Sequence, residues 1–206
     1  MTIYNHYFEL NIDSKKIAKK IKANPSKIAD VYRRSISIGV NTFHQIAKKK
    51  SAGGYAIAIL DSEYSVDSTD SINVQSKIRI YTKKKAALEH IHSIVLSTGY
   101  FIDYFDVSDV KSVPDVCEQY FAYIRIRMPT VKKQPESAEI KKTIIDQSPD
   151  CNFIYLMPSS SMNGNKHLIR YYYKVVPMGP MKAAQFSKPD GYGFSRTSRI
   201  CPIAYI

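Results

Sequence analysis

An α+β fold is what this sequence predicts, on three observations. Apolar residues alternate with a period of two in several short stretches, follow a helical period in others, and the two kinds of stretch are interleaved along 206 residues. With 44% hydrophobic residues the chain can bury a substantial core, as one large domain or two small ones.

Each element follows from its own residues. Tyr4 to Ile12 alternates as a strand. Asn24 and Pro25 then supply an N-cap and a first-turn proline for a helix that carries Ile28, Val31, Ser35, Ile38, Thr42 and Ile46 on one face. Lys48, Lys49 and Lys50 suit the negative end of the helix dipole, and Gly53-Gly54 ends the helix. Tyr55 to Leu60 is an apolar strand, Asp61 to Asp70 a Ser/Asp-rich loop, and Lys77 to Thr82 an alternating strand. A helix from about Lys83 to Leu96 follows, then Gly99 and an extended segment from Tyr100 to Val113, stopped by Pro114. The order β-α-β-β-α-β is that of a ferredoxin-like domain, assigned to residues 1–113 and a common platform for RNA-binding sheets.

Residues 114–206 predict a smaller, irregular, ferredoxin-related α+β domain. Tyr120 to Met128 alternates as a strand, and Glu136 to Ile145 is a short helix behind the polar segment Val131 to Pro135. Phe153 to Met157, Leu168 to Val176 and Lys182 to Phe186 read as strands joined by Ser/Asn/Gly and Gly-Pro turns. The sequence contains no internal repeat and no long low-complexity linker.

Charge and composition narrow the function. From Cys151 to Ile206 there are seven Lys or Arg against one acid, Asp190, with six tyrosines among them, which is half of the formal net charge of +12. Positive charge beside aromatic rings attracts a phosphate backbone and offers stacking surfaces for bases; the same pattern also fits a solvated basic surface with strand-forming tyrosines. No apolar run approaches the roughly 20 residues of a membrane span, and Met1-Thr2-Ile3-Tyr4-Asn5-His6 lacks a signal peptide's regions, so a cytoplasmic protein without a membrane partner is expected. Cys117, Cys151 and Cys201 are widely spaced and odd in number, which fits reduced thiols rather than a disulfide framework or zinc site.

Familiar catalytic patterns can be set aside. There is no P-loop, no dinucleotide fingerprint and no His-Glu-x-x-His. His90 and His92 diverge by about 200° on a helix and make a poor metal pair, so no metal and no cofactor are expected.

A scattered set remains that suits metal-free RNA cleavage, which needs a base for a ribose 2′-hydroxyl and donors for the nucleophile and the developing phosphate charge. His44, in Phe43-His44-Gln45 near the end of its helix, is the candidate base. Ser159, Ser160 and Ser161 supply hydroxyls in a loop before Asn163-Gly164-Asn165, or form an ordinary turn. Arg125 and Arg127 share one face of a strand, either to contact guanine edges bidentately or to form ordinary surface ion pairs.

Taken in order, these pieces resemble the CRISPR-associated repeat-processing endoribonuclease of type I-F systems. The matching pieces are His6-Tyr7-Phe8, Phe43-His44-Gln45, Ile78-Arg79-Ile80-Tyr81, Arg125-Ile126-Arg127, the serine loop, Arg170-Tyr171-Tyr172-Tyr173-Lys174, Gly179-Pro180-Met181, Tyr192-Gly193-Phe194-Ser195 and a terminal strand with Pro202. The resemblance implies that His44 is the general base, that Ser159 holds the attacking hydroxyl with Ser160 and Ser161 as alternatives, and that Tyr192 helps orient the histidine. Arg125 falls on an arginine that reads a guanine in the stem, and Arg127 stands where the family has glutamine. The family's arginine-rich helix is reduced to a short helix with Lys141 and Lys142, preceded by Lys132 and Lys133. Its stacking phenylalanine falls at Ile169, near His167. Arg170, Ser195 and Arg196 are further expected RNA contacts.

The resemblance implies metal-independent cleavage of precursor crRNA at the 3′ base of the repeat hairpin, giving a 2′,3′-cyclic phosphate and a 5′-hydroxyl. It also implies that the protein, monomeric when alone, stays on the crRNA stem-loop with other subunits of a type I-F surveillance complex. Two other readings stay open: a hairpin-binding cap without cleavage, and a general RNA-binding protein motivated by charge.

Overall fold

The computed structural model describes residues 4–23, 27–49, 54–65, 71–114, 117–128, 136–147, 151–156, 169–179 and 188–206. It is an α+β structure with two antiparallel sheets. In the first, strands β1 (His6–Ile12), β2 (Tyr55–Ser65), β3 (Ser71–Thr82) and β4 (Phe105–Val107) run in the order β2-β3-β1-β4, with β5 (Lys111–Ser112) also paired to β1. In the second, β6 (Tyr120–Ile126), β7 (Cys151–Leu156), β8 (Ile169–Met178) and β9 (Ile203–Ala204) run in the order β7-β8-β6-β9. Both sheets thus place their first strand between their third and fourth, and their second at an edge. The sequence contains no repeat, but this spatial order occurs twice, because strand order depends on patterning and connections rather than on residue identity.

Five helices accompany the sheets among the described residues: α1 (Ser14–Ala23), α2 (Ile28–Lys49), α3 (Lys85–Leu96), α4 (Gly99–Tyr104) and α5 (Glu136–Asp146). None is long and apolar enough to cross a membrane. Helix α2 has Asp30 in its first turn and Lys48 and Lys49 in its last, both favourable to the dipole. It lies across β3 closely because Gly39 has no side chain. A Cβ there would sit 2.9 Å from both Ile78 Cδ1 and Phe105 Cζ.

Two sequence expectations are corrected. Of the α2 face expected to meet the core, Ile28 and Ser35 are buried and Val31 and Ile46 pack at the core's margin, but the main buried stripe is the adjacent one of Ile28, Tyr32, Ile36, Val40, Phe43 and Ala47. Ile38 is 45% exposed. Both stripes are apolar enough to be core; what separates them is that α2 packs on β3 and also against β7, which a one-sided pattern does not anticipate. The extended segment expected from Tyr100 begins instead as α4. Tyr100, Phe101, Tyr104 and Phe105 have helical spacing and form one aromatic cluster, with Phe101 and Phe105 buried.

Other boundaries move. Strand β1 starts at His6, β2 extends through Ser65 into the first half of what reads as an Asp61–Asp70 loop, and β3 starts at Ser71 rather than Lys77. Helix α1 is an element the sequence reading passes over. His92 is structural: Nε2 lies 2.9 Å from the Ser108 carbonyl, and its ring meets Phe8 edge-on. The strand expected at Lys182 to Phe186 lies outside the described residues.

The sheets are joined through polar side chains. Arg79 on β3, held within the first sheet by an ion pair with Glu9 on β1 at 2.6 Å, reaches out of it to donate to the Ile206 carbonyl at 3.0 Å. The Tyr81 hydroxyl donates to the Ala204 carbonyl at 2.7 Å, and Gln75 Nε2 to the Tyr173 hydroxyl at 2.8 Å. Side chains of β3 therefore fasten both β8 and the C-terminal segment.

Candidate active site

Ser37, Asn41 and His44 are three polar residues at positions i, i+4 and i+7 of α2, so they share a face. The first two grip the second sheet. Ser37 Oγ accepts from the Tyr155 N–H at 2.9 Å, and Asn41 Nδ2 donates to the Tyr155 carbonyl at 2.9 Å. This satisfies both backbone groups of Tyr155 on the outer edge of β7, which would otherwise be open. His44 comes one turn later on the same face.

The other wall of the site is the turn from Asp190 to Phe194. Its geometry is written in the residues: Asp190 Oδ1 accepts the N–H groups of Tyr192 at 2.9 Å and Phe194 at 3.0 Å, while Oδ2 accepts the Tyr171 hydroxyl. Gly193 has φ +85°, and a Cβ there would lie 3.0 Å from Ile57 and from the Tyr55 ring. The turn docks on the edge of β2, where Ile57 N–H donates to the Gly193 carbonyl at 2.9 Å. Behind it, Phe194 is fully buried against Tyr171 and Tyr173.

These two walls bring His44 and Tyr192 into ring contact, centroids 4.4 Å apart at 33°. His44 Nδ1 lies 2.7 Å from the Tyr55 hydroxyl, whose proton is directed to the Gly191 carbonyl at 3.1 Å. A phenol has one proton, so with that proton on Gly191 the imidazole Nδ1–H donates to Tyr55 and the lone pair of the neutral ring is on Nε2. Burial first, and then Lys48, push the His44 pKa below the usual histidine value, against the opposing pull of Asp190 and the Gly191 carbonyl. Burial and the nearby Asp190 hold Tyr55 well above the usual tyrosine range, so it remains a neutral donor. The arrangement is a neutral imidazole with an oriented basic nitrogen, which is what proton abstraction from a hydroxyl requires.

The remaining expected residues are distributed as follows. Arg125 lies on β6 with its guanidinium 4.8 Å from the Tyr171 ring centroid and 3.9 Å from Asp190 Oδ2, so it backs the turn from behind. Arg127, exposed, lies beyond the end of β6 at Ile126 and does not share the strand with Arg125 as expected. The Ser195 hydroxyl is buried and donates to the Cys201 carbonyl while accepting its N–H; it closes a turn rather than facing outward. Arg196 is exposed and bridges to Arg199. Arg170 is exposed on β8, its guanidinium 5.0 Å from the Phe153 ring. Lys141 and Lys142 are on α5, the latter exposed, and Ile169 is exposed at the start of β8. Lys132, Lys133, Ser159, Ser160, Ser161 and His167 lie outside the described residues.

Tyr55, Asp190 and Tyr171 are the residues that sequence reasoning missed. Asp190 carried a signal, being the single acid in the basic tail and two residues before Tyr192. Tyr55 carried none, since a tyrosine opening a strand reads as a strand former.

No protein-family model matches the chain, and no curated protein matches it. Among solved structures, one described as "CRISPR associated protein Cas6" is 15% identical over 98% of this chain and 99% of that chain, with a TM-score of 0.34. A chlorite dismutase from Candidatus Nitrospira defluvii in complex with imidazole is 9% identical over 83% of this chain and 76% of that chain, with a TM-score of 0.26. Neither TM-score is high enough to carry an argument about fold, activity or partners.

Proposed function

We propose that the protein is a metal-independent endoribonuclease of the CRISPR repeat-processing kind, built from a ferredoxin-like domain of residues 1–113 and a related domain of residues 114–206. The observation that carries this reading is the buried His44 ring held between Tyr55 and Tyr192, its Nδ1 2.7 Å from the Tyr55 hydroxyl. His44 Nε2 takes the proton of a ribose 2′-hydroxyl, and that oxygen attacks the adjacent phosphorus. The bond to the 5′-oxygen breaks, leaving a 2′,3′-cyclic phosphate and, once the departing oxygen is protonated, a 5′-hydroxyl. Tyr192 positions the ring by contact. Ser159, with Ser160 or Ser161 as alternatives, holds the attacking hydroxyl. Arg125, Arg127, Lys132, Lys133, Lys141, Lys142, His167, Arg170 and Arg196 contact the repeat stem-loop, which stays bound as part of a type I-F crRNA complex.

The test is cleavage of repeat hairpin RNA in EDTA by the wild type and by His44→Ala. The wild type cleaves, and His44→Ala is slower by about 10²–10⁴-fold. Loss of wild-type cleavage in EDTA, or a His44→Ala variant that cleaves at the wild-type rate, sinks the chemistry. A second reading is a hairpin-binding cap that does not cleave, favoured by the burial of His44, which is 8% exposed. It predicts a stable complex with intact hairpin and no product from the wild type.

A further inference from the structure

Helix α2 carries apolar positions that the core does not take. Ile38 is 45% exposed, and Thr42, one turn later, is half-buried. Together they floor a mostly apolar groove of about 480 Å³ between α2 and β7, walled on its other side by Tyr155. Ser37 and Asn41, whose bonds to the Tyr155 backbone tie helix to strand, form the seam. The volume suits a ligand of small-molecule size, and an apolar side chain exposed inside a groove of this kind marks a place for a partner. The groove's two ends differ. At one, Gln45 follows His44 in the chain, and Asn41, three residues before it, has its Cβ about 5–6 Å from that of His44. At the other, roughly 16 Å along the helix, is Arg34, its side chain 70% exposed and paired with Asp30 at 2.8 Å. Beyond Tyr155, the Phe153 ring, centroids 5.5 Å apart, has the guanidinium of Arg33 at 4.4 Å and that of Arg170 at 5.0 Å. Asp30 also lies 3.9 Å from Arg33, and Asp61 is within reach of the Arg33 charge, so three arginines share two carboxylates.

We infer that this groove takes the first unpaired base on the 3′ side of the cut, laid against Tyr155 and Ile38, with the backbone that follows running towards Arg34. The inference rests on the reading of His44 as the base that cleaves RNA at the foot of a hairpin. A base inside the stem is paired and stacked, whereas the strand past the hairpin's 3′ base can turn a base out into a groove. An aromatic wall and an apolar floor suit the flat face of a base of any kind, and the arginines at the far end suit phosphates. The groove is continuous with the proposed site, because Asn41 and Gln45 line it while flanking His44 on the same helix.

The experiment measures binding, so its failure is distinct from a failure of cleavage. The probe is a repeat hairpin with 2′-deoxyribose upstream of the cut, extended on its 3′ side by a strand whose first nucleotide is either normal or abasic. The wild type binds the abasic RNA about 5–150-fold more weakly, the range for one stacked base. Tyr155→Ala and Ile38→Ser each lose affinity for the normal RNA and bind the abasic RNA as the wild type does; Tyr155→Phe, which keeps the ring, matches the wild type on both. Ile38 is largely outside the core, so its variant keeps a loss of affinity from being a loss of fold. Equal affinity of the wild type for the two RNAs overturns the groove as a base site, and is the outcome expected if a protein segment fills it instead. An equal loss by the variants on both RNAs overturns it as well. A wild type that binds neither RNA overturns the RNA-processing reading itself.

Discussion

His44 is driven towards its neutral form chiefly by burial and secondly by Lys48. A base works in its unprotonated form, so the acid limb of the pH–rate profile should lie below the ordinary histidine value of about 6.5. The same depression stabilises the fold above about pH 6.5, and that contribution is lost as pH falls from there through the lower folded value. A profile whose acid limb sits above 6.5 would contradict this. Tyr55→Phe keeps the ring that packs on Phe43 but removes the hydroxyl that fixes His44 Nδ1. Its expected effect is a fall in cleavage of roughly tenfold, short of the about 10²–10⁴ expected for losing the base, together with a displaced acid limb. A rate loss with an unmoved pH profile would make Tyr55 structural only. His44 and Tyr192 were legible as candidates because each stands in a short motif. The partner Tyr55 was not, because nothing in its neighbourhood distinguishes a hydroxyl that orients a histidine from one that merely ends a buried ring.

At the scale of elements, the Asp190–Phe194 turn is the part on which the site most depends. Gly193→Ala places a side chain at φ +85° and 3.0 Å from Ile57 and Tyr55. Thermal melting should show a loss of about 1–3 kcal/mol, and cleavage should fall with it, because the displaced turn carries Tyr192 away from His44. An alanine variant that melts and cleaves like the wild type would mean that the turn is free to shift. The strands and α3 were legible from alternation and helical spacing. The inner face of α2 was not, because two neighbouring stripes are both apolar and only the second sheet decides between them. Of the stripe Ser37, Asn41 and His44 the sequence singles out His44 alone, because polar residues at i, i+4 and i+7 are also the ordinary wet face of an amphipathic helix.

For the molecule as a whole, the join between the sheets centres on Arg79. Burial raises the Glu9 pKa, but the hydrogen bond and charge of Arg79, with Lys77, outweigh it and leave the carboxyl below its usual value. The pair therefore contributes stability above about pH 4.3, lost as pH falls from there through the lowered value. Arg79→Met strands the Glu9 carboxylate and should lower unfolding stability by about 3–5 kcal/mol, while Glu9→Gln/Arg79→Met recovers part of it. Equal losses in the single and double variants would show that Glu9 is not stranded without Arg79 and that the loss comes from the Ile206 contact instead. This junction could not be read from sequence, since Arg79 stands in a strand motif that resembles an RNA-processing family, and its partners Glu9 and Ile206 lie 70 and 127 residues away. Through Arg79 the first sheet holds the C-terminal segment that follows β9 of the second. The most direct test of the proposed chemistry is cleavage in EDTA of a repeat hairpin whose nucleotide upstream of the cut carries 2′-deoxyribose. The account predicts no cleavage of this RNA, and a 2′,3′-cyclic phosphate from the unmodified one; cleavage of the deoxy substrate at the same position would contradict it.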